Sequence, residues 1–437
     1  MPELRLVSLQ EAEMDEIVTA YRAATRRSAE LVERFQRVLP GGETRSVTFY
    51  PPYPVVIARG AGARVWDLDG NPYLDVLNNY TSLVHGHAAG PLVEAVREAL
   101  ADGTAHPAPG LHQLALAEAI STRYPAAQLV RFTNSGTEAA TLALRLARHV
   151  TGRRRMVVFD GGYHGTAAEF ADESPDTARV PFNDIDALRS ALIDPAAAVF
   201  AEPFLGSGGV VPASPGFLDA AADAAAEAGA LFVLDEVQSL RSAEHGVQAS
   251  LRRLPDLVLM GKIIGGGFPV GALGGRRELM ALTAGDRADA LKHSGTFNGN
   301  PVTAVAGLAS LRLLDAPAIA SLNQAATNLA SRIEAAGVDA GLRIVVSRYG
   351  SIMHVHFRDG LPENAAEVRA ESAPAAAALH LSLLVHGVYA APRGMLNLST
   401  ALSSTDLEAV AGAYRAAIAD VVRAGLAPDT LTAKAPV

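Results

Sequence analysis

The chain has 437 residues, 49% of them apolar, and a net charge of −9. This supplies material for a large core, in two or three domains or one large α/β unit with an appendage, and excludes a disordered chain or a general nucleic-acid binder. Cysteine is absent, which removes disulfide scaffolds, thiolate metal sites and cysteine nucleophiles. No apolar run approaches the about 18 residues of a membrane span, and the first residues hold no secretory core, so a cytoplasmic protein is expected.

Residues 9–38 read as one long polar helix that stops at Pro40-Gly41-Gly42. Short β segments over 55–77 flank a turn at Asp69-Gly70-Asn71, and helices follow near 91–102 and 111–123. Strands and helices then alternate. Val130–Thr133 leads into a helix reaching about Val150. Met156–Phe159, Ala198–Glu202, Ala230–Asp235 and Leu257–Met260 read as strands, with a helix near 216–228. Apolar, non-alternating strands between helices predict a mostly parallel sheet covered on both faces. After residue 301 a long helical region, broken near Pro317, precedes strands near 343–346 and 351–357. Helices follow near 373–386 and 405–424. The expected division is a large domain over 81–300, a smaller α+β domain over 301–437, and an N-terminal segment, 1–80, joining the smaller one.

Three sites carry chemistry. At Phe132-Thr133-Asn134-Ser135-Gly136-Thr137-Glu138 a strand ends and a helix begins. Free N–H groups and the positive end of the helix dipole suit a phosphate there, although an ordinary N-cap would look the same. At Leu234-Asp235-Glu236-Val237 two acids end a buried strand, where open α/β sheets bind ligands. One acid could hold a protonated ring nitrogen; a helix cap or salt bridge is the plainer alternative. At Met260-Gly261-Lys262-Ile263-Ile264-Gly265-Gly266-Gly267 a lysine sits inside an apolar run. Of 37 basic residues only Lys262, Lys292 and Lys434 are lysines. A chain that uses arginine for its surface charge keeps lysine for what arginine cannot do, which is to lose its proton and attack a carbonyl. Gly162-Tyr163-His164-Gly165 adds an aromatic plate, and Gly295-Thr296-Phe297-Asn298-Gly299-Asn300-Pro301 a polar loop. His85 and His87 have poor geometry for one metal, and no metal site is expected. Neither the G-x-G-x-x-G nor the Walker pattern is present, which disfavours a nucleotide-binding dehydrogenase. In order along one α/β domain, the set fits a phosphorylated aldehyde with a protonatable ring nitrogen, pyridoxal 5′-phosphate.

From about Arg45 to Asp406 these motifs resemble the class III aminotransferases of pyridoxal-phosphate fold type I. The resemblance implies an α/β fold, with a large domain built on a mostly parallel sheet and a smaller α+β domain. It implies that Lys262 bonds the cofactor and shuttles the proton. Asp235 pairs with the ring nitrogen, and Ser135, Gly136 and Thr137 hold the phosphate. Tyr163 and Val237 cover the two ring faces, and Gln238 approaches the ring hydroxyl. Thr296 reaches the phosphate of a neighbouring subunit, so a homodimer with shared sites is implied. The motif order is similar to glutamate-1-semialdehyde 2,1-aminomutases. Residues 44–50 and Pro392-Arg393-Gly394 instead resemble β-amino-acid aminotransferases of the β-phenylalanine type. In that resemblance Arg45 and Arg393 bind the carboxylates of a β-amino acid and of a 2-oxo acid acceptor, 2-oxoglutarate or pyruvate. Phe49, Tyr50, Tyr80 and Met395 are then expected to line the pocket. The alternatives are an aminomutase that needs no acceptor, a lyase or epimerase on the same fold, and a non-catalytic protein that kept it.

Overall fold

The computed structural model describes residues 14–171 and 174–426. Its centre is a seven-stranded sheet. In chain order the strands are β1 (Leu129–Thr133), β2 (Met156–Phe159), β3 (Thr177–Val180), β4 (Ala198–Ala201), β5 (Leu231–Asp235), β6 (Leu257–Gly261) and β7 (Gly271–Gly275). The sheet order is β1-β7-β6-β5-β4-β2-β3. β7 runs antiparallel to both its neighbours, and the remaining pairs are parallel. Strands β2, β4, β5 and β6 are buried at every position, as the unbroken apolar runs predict for a sheet covered on both faces. Because β1 and β6 point the same way, the carboxyl ends of β1, β2, β4, β5 and β6 deliver residues 134–138, 160–165, 202, 235–238 and 262 to one edge.

β7 is absent from the sequence reading. Three glycines in five residues have low strand propensity. Packing requires them: a Cβ on Gly271 would lie 2.0 Å from the Ser135 carbonyl oxygen, one on Gly274 2.7 Å from Ala127 Cβ, and one on Gly275 2.6 Å from Leu257 Cδ2. The short strand β3 and the helix Ile185–Ala191 also lie outside the predicted elements. The helix expected over 9–38 is two helices, Asp15–Ala24 and Arg26–Gln36; residues 9–13 of it lie outside the described residues. The break is at Thr25, whose buried hydroxyl donates to the Tyr21 carbonyl at 2.7 Å and meets the Tyr53 hydroxyl at 3.1 Å.

Two smaller sheets flank the large one. Ile57–Ala61, Arg64–Asp67 and Pro72–Asp75 form an antiparallel set, extended by Val388–Tyr389 in parallel to Pro72–Asp75. Val345–Tyr349, Ile352–His356 and Met395–Asn397 form an antiparallel three-stranded sheet. The helix Ser404–Arg423 packs on Ala316–Asp339 and Ala373–Val385, and begins with a capping box between Ser403 and Asp406. The long helical region breaks at Leu314-Asp315, where the Asp315 carboxylate accepts the Ala318 N–H at 2.9 Å. Among the described residues no single helix is long and apolar enough to cross a membrane.

Candidate active site

Ser135 caps the helix Gly136–Thr151, its hydroxyl accepting the Glu138 N–H at 3.2 Å. Glu138 in turn accepts the Asn134 N–H at 2.9 Å. The capping reading of the sequence is therefore correct, and it leaves room for the other one. A helix's first N–H groups have no helical partner, and the cap uses only that of Glu138, so those of Gly136 and Thr137 face the sheet edge. Two glycines form the cradle: a Cβ on Gly165 would overlap Thr137 Oγ1 at 2.4 Å, and Gly271 supports the Ser135 carbonyl.

Asp235 ends β5 and is buried. Its Oδ2 lies 2.8 Å from His164 Nδ1, and its Oδ1 accepts the Val237 N–H at 3.0 Å. Burial alone would lower the His164 pKa, but the hydrogen bond and charge of Asp235, with Glu202 adding to them, raise it above the ordinary histidine value. Glu202, just past β4, accepts the Tyr163 N–H at 2.9 Å. Its burial, reinforced by the charge of Asp235, pushes the carboxyl up to about 7, against the pull of His164. The second acid of the pair, Glu236, has a different task. It is fully buried and accepts from Val247 N (2.7 Å), Gln248 N (3.0 Å), Gln248 Nε2 (2.9 Å) and Ser239 Oγ (2.9 Å), so it fixes the turn after β5.

Lys262 follows β6 directly and sits at φ +50°, a left-handed conformation that costs a non-glycine residue on the order of 1–3 kcal/mol. Burial lowers its pKa, more than the charges of Asp235 and Glu202 restore it. The amine is thus biased toward the neutral, nucleophilic form. Lys292 is exposed, and Lys434 lies outside the described residues.

Val237 reaches between the first helical turn and the lysine strand: Cβ positions on Gly136 and Gly261 would lie 3.4 and 3.3 Å from its methyl groups. The Gln238 amide lies against Gly206, where a Cβ would come within 2.1 Å of Nε2. Tyr163 is half exposed on the loop after β2. Thr296 is exposed on a loop whose Asn298 accepts from the Asn134 amide at 2.9 Å. Arg45 and Arg393 are both exposed, and the positive charges of both act on the Tyr80 hydroxyl; that of Arg393 also acts on Tyr163. Arg45 Nη1 donates to Asn79 Oδ1 at 2.8 Å. Tyr50 departs from its expected place on the pocket wall: it is buried, its hydroxyl accepts the Val55 N–H at 2.9 Å, and its ring packs edge-on against His380. His85 and His87 take separate partners, Thr400 with the Ser310 carbonyl, and Asp75. No cluster of three or more potential metal ligands occurs among the described residues.

Three residues that surround the site escaped the sequence reading. Glu202 carries the same signal as Asp235, an acid at the end of an apolar strand, and was legible on that ground. His164 was visible only as a turn residue. Asn79 left no signal.

A helix N-terminus with free N–H groups, a strand-end carboxylate held by a histidine and a desolvated lysine share the carboxyl edge of one sheet. This donor set suits a phosphate, a ring nitrogen and an aldehyde, and with the sheet order it defines a pyridoxal-phosphate enzyme of fold type I. The family model for aminotransferase class-III matches residues 47–171 and 167–408. A β-phenylalanine transaminase of Variovorax paradoxus is 39% identical over 90% of this chain and 93% of its own length. A glutamate-1-semialdehyde 2,1-aminomutase of Methanothermobacter thermautotrophicus is 40% identical over 76% of this chain and 84% of its own. The solved β-phenylalanine aminotransferase from Variovorax paradoxus superposes with a TM-score of 0.90 at 36% identity, covering 98% of this chain and 100% of the other. The chain belongs to the class III aminotransferases, and its cofactor is pyridoxal 5′-phosphate.

Proposed function

We propose that the chain moves an amino group from a β-amino acid to a 2-oxo acid, 2-oxoglutarate or pyruvate, as a cytoplasmic homodimer. The observation that carries this reading is the pair of exposed arginines, Arg45 and Arg393, whose charges converge on Tyr80. A guanidinium grips a carboxylate through two parallel hydrogen bonds, and two of them serve two alternating carboxylate substrates. The likeness to β-phenylalanine transaminase over 90% of the chain supports the choice of donor.

The chemistry the bound cofactor supplies is an aldehyde for amine exchange and a ring that accepts electrons. Ser135, Gly136 and Thr137 would hold the phosphate, and Thr296 would be contributed to the neighbouring subunit's site. Tyr163 and Val237 would cover the two faces of the ring, and Gln238 would serve its hydroxyl. Asp235, oriented by His164, would pair with the ring nitrogen and hold its proton. Lys262 would hold the aldehyde carbon, and its Nζ, biased by burial toward the neutral form, would serve as the base for the substrate's amine-bearing carbon. Residues 81–300 would form the cofactor domain and 301–437 the smaller one, whose residues 427–437 lie outside the described residues. The pairing of Pro72–Asp75 with Val388–Tyr389 supports assigning 1–80 to the latter.

The test is the visible spectrum of the holoenzyme mixed with β-phenylalanine and no acceptor. Bleaching by β-phenylalanine but not by α-amino acids is expected; an unchanged band refutes the donor assignment. The 40% likeness to the aminomutase favours a second reading, intramolecular amino transfer. Turnover of a single substrate without any acceptor would establish it instead.

A further inference from the structure

The four residues Asn78–Thr81 have φ of 48, 47, 54 and 75°, and none is glycine. They form one turn of left-handed helix, a conformation that L-residues adopt singly and do not sustain in runs. Its surroundings must hold it. At the entry, Asp75 Oδ1 accepts the N–H groups of Leu77 and Asn78 at 2.7 and 2.8 Å. Asn397 donates to the Leu77 carbonyl at 2.7 Å, while the Asn78 amide donates to the Asn397 carbonyl at 2.8 Å. At the exit stands Arg241, whose side chain is wholly buried. Its Nη1 donates to the Thr81 carbonyl at 3.4 Å and to Asn397 Oδ1 at 3.0 Å, its Nε to Ser351 Oγ at 3.2 Å, and its Nη2 to the Leu398 carbonyl. No carboxylate pairs with it among the described residues. All four acceptors are neutral, so the planar donor fork, rather than an ion pair, explains a cation at this depth.

The turn so fixed points two side chains outward. Asn79 Oδ1 accepts from Arg45 Nη1 at 2.8 Å, and its own amide is oriented by donating to Ser82 Oγ at 3.0 Å. The Tyr80 hydroxyl donates to the Val47 carbonyl at 2.6 Å, and its ring lies 5.7 Å from the Arg45 guanidinium carbon. Exposed Arg45 and the 45–48 segment therefore rest on a strained turn whose far end is bolted by Arg241.

We propose that Arg241 is a positioning residue for substrate carboxylate recognition: it locks the left-handed turn Asn78–Thr81, and the turn aims Arg45. The inference rests on the reading of Arg45 as a carboxylate-binding residue. A lysine at 241 keeps the charge but cannot span acceptors from three segments.

The test uses holoenzyme. The variants are Arg241→Lys, Asn79→Ala and Arg45→Ala, with wild type. Two readouts are compared: the dissociation constant of 3-phenylpropanoate, a carboxylate without an amine, and half-reactions with β-phenylalanine and with 1-phenylethylamine, an amine without a carboxylate. Arg241→Lys is expected to weaken 3-phenylpropanoate and raise the half-saturation for β-phenylalanine about ten-fold, with the limiting rate and the 1-phenylethylamine reaction within about three-fold of wild type. A merely structural role moves both amines alike, and that result, or no change in either, overturns the proposal. Should Arg241→Lys fail to fold, Asn79→Ala, at an exposed position, decides by the same readouts. If Arg45→Ala leaves 3-phenylpropanoate binding intact, the reading of Arg45 fails and takes the inference with it. If Arg45→Ala loses binding while Arg241→Lys and Asn79→Ala keep it, only the inference fails.

Discussion

Replacing Glu202 by glutamine tests the electrostatics of the site directly. Glu202 is buried, with its carboxyl raised from an ordinary 4.5 to about 7. A raised carboxyl binds its proton more tightly in the folded chain than in the unfolded one. Its contribution to stability is therefore fully present below pH 4.5, declines between 4.5 and 7, and is gone above that. At about 1.4 kcal/mol per pKa unit, the charged carboxylate destabilises the apo-protein by about 3 kcal/mol above neutrality. Glutamine keeps an acceptor for the Tyr163 N–H but has no proton to lose. Urea unfolding of the two apo-proteins from pH 5 to 8 should show the variant gaining on wild type by about 2–3 kcal/mol over that range. Parallel pH profiles would refute the assignment of a raised carboxyl at this position.

Lys262→Ala should abolish the visible cofactor band and borohydride trapping, and lower turnover by at least about 10³-fold. Gly271→Ala would place a Cβ 2.0 Å from the Ser135 carbonyl. It should cost about 1–3 kcal/mol of stability and loosen the cofactor in ultrafiltration assays; unchanged retention would contradict the cradle described for the first helical turn. His164→Phe leaves Asp235 with only the Val237 N–H, and kcat should fall at least about ten-fold in single-turnover measurements.

The sequence exposed the parts of this protein that one residue type explains alone. A scarce lysine in an apolar run, an acid at a strand end and a small-residue turn before a helix are each legible locally, as are the fully apolar strands. What stayed hidden depends on neighbours distant in the chain. β7 is a strand because Ser135, Ala127 and Leu257 leave no room for side chains at three of its positions. Propensity argues against it, and packing overrides propensity. Thr25 ends a helix through a hydroxyl that binds Tyr21 and Tyr53. The left-handed turn at Asn78–Thr81 contains no glycine to announce it and exists through Asp75, Asn397 and Arg241.

The four ionisable groups at the sheet edge sort into two pairs of opposite character. Asp235 and His164 touch at 2.8 Å, and the contact draws the imidazole toward its charged form. Glu202 and Lys262 move the other way: burial raises the acid and lowers the amine, so both drift toward neutrality. One sheet edge thus holds a carboxylate–histidine contact beside an acid and an amine that burial biases toward their uncharged forms. Environments that push like groups apart are how a single site runs acid and base chemistry at one pH. Asp235 and Glu202 are both buried carboxyls at strand ends, and what separates them is the partner. Asp235 has His164 Nδ1 at 2.8 Å, whereas Glu202 accepts the backbone N–H of Tyr163 at 2.9 Å. His164 contacts the first of these carboxyls directly and by its charge draws down the pKa of the second, against the burial that raises it.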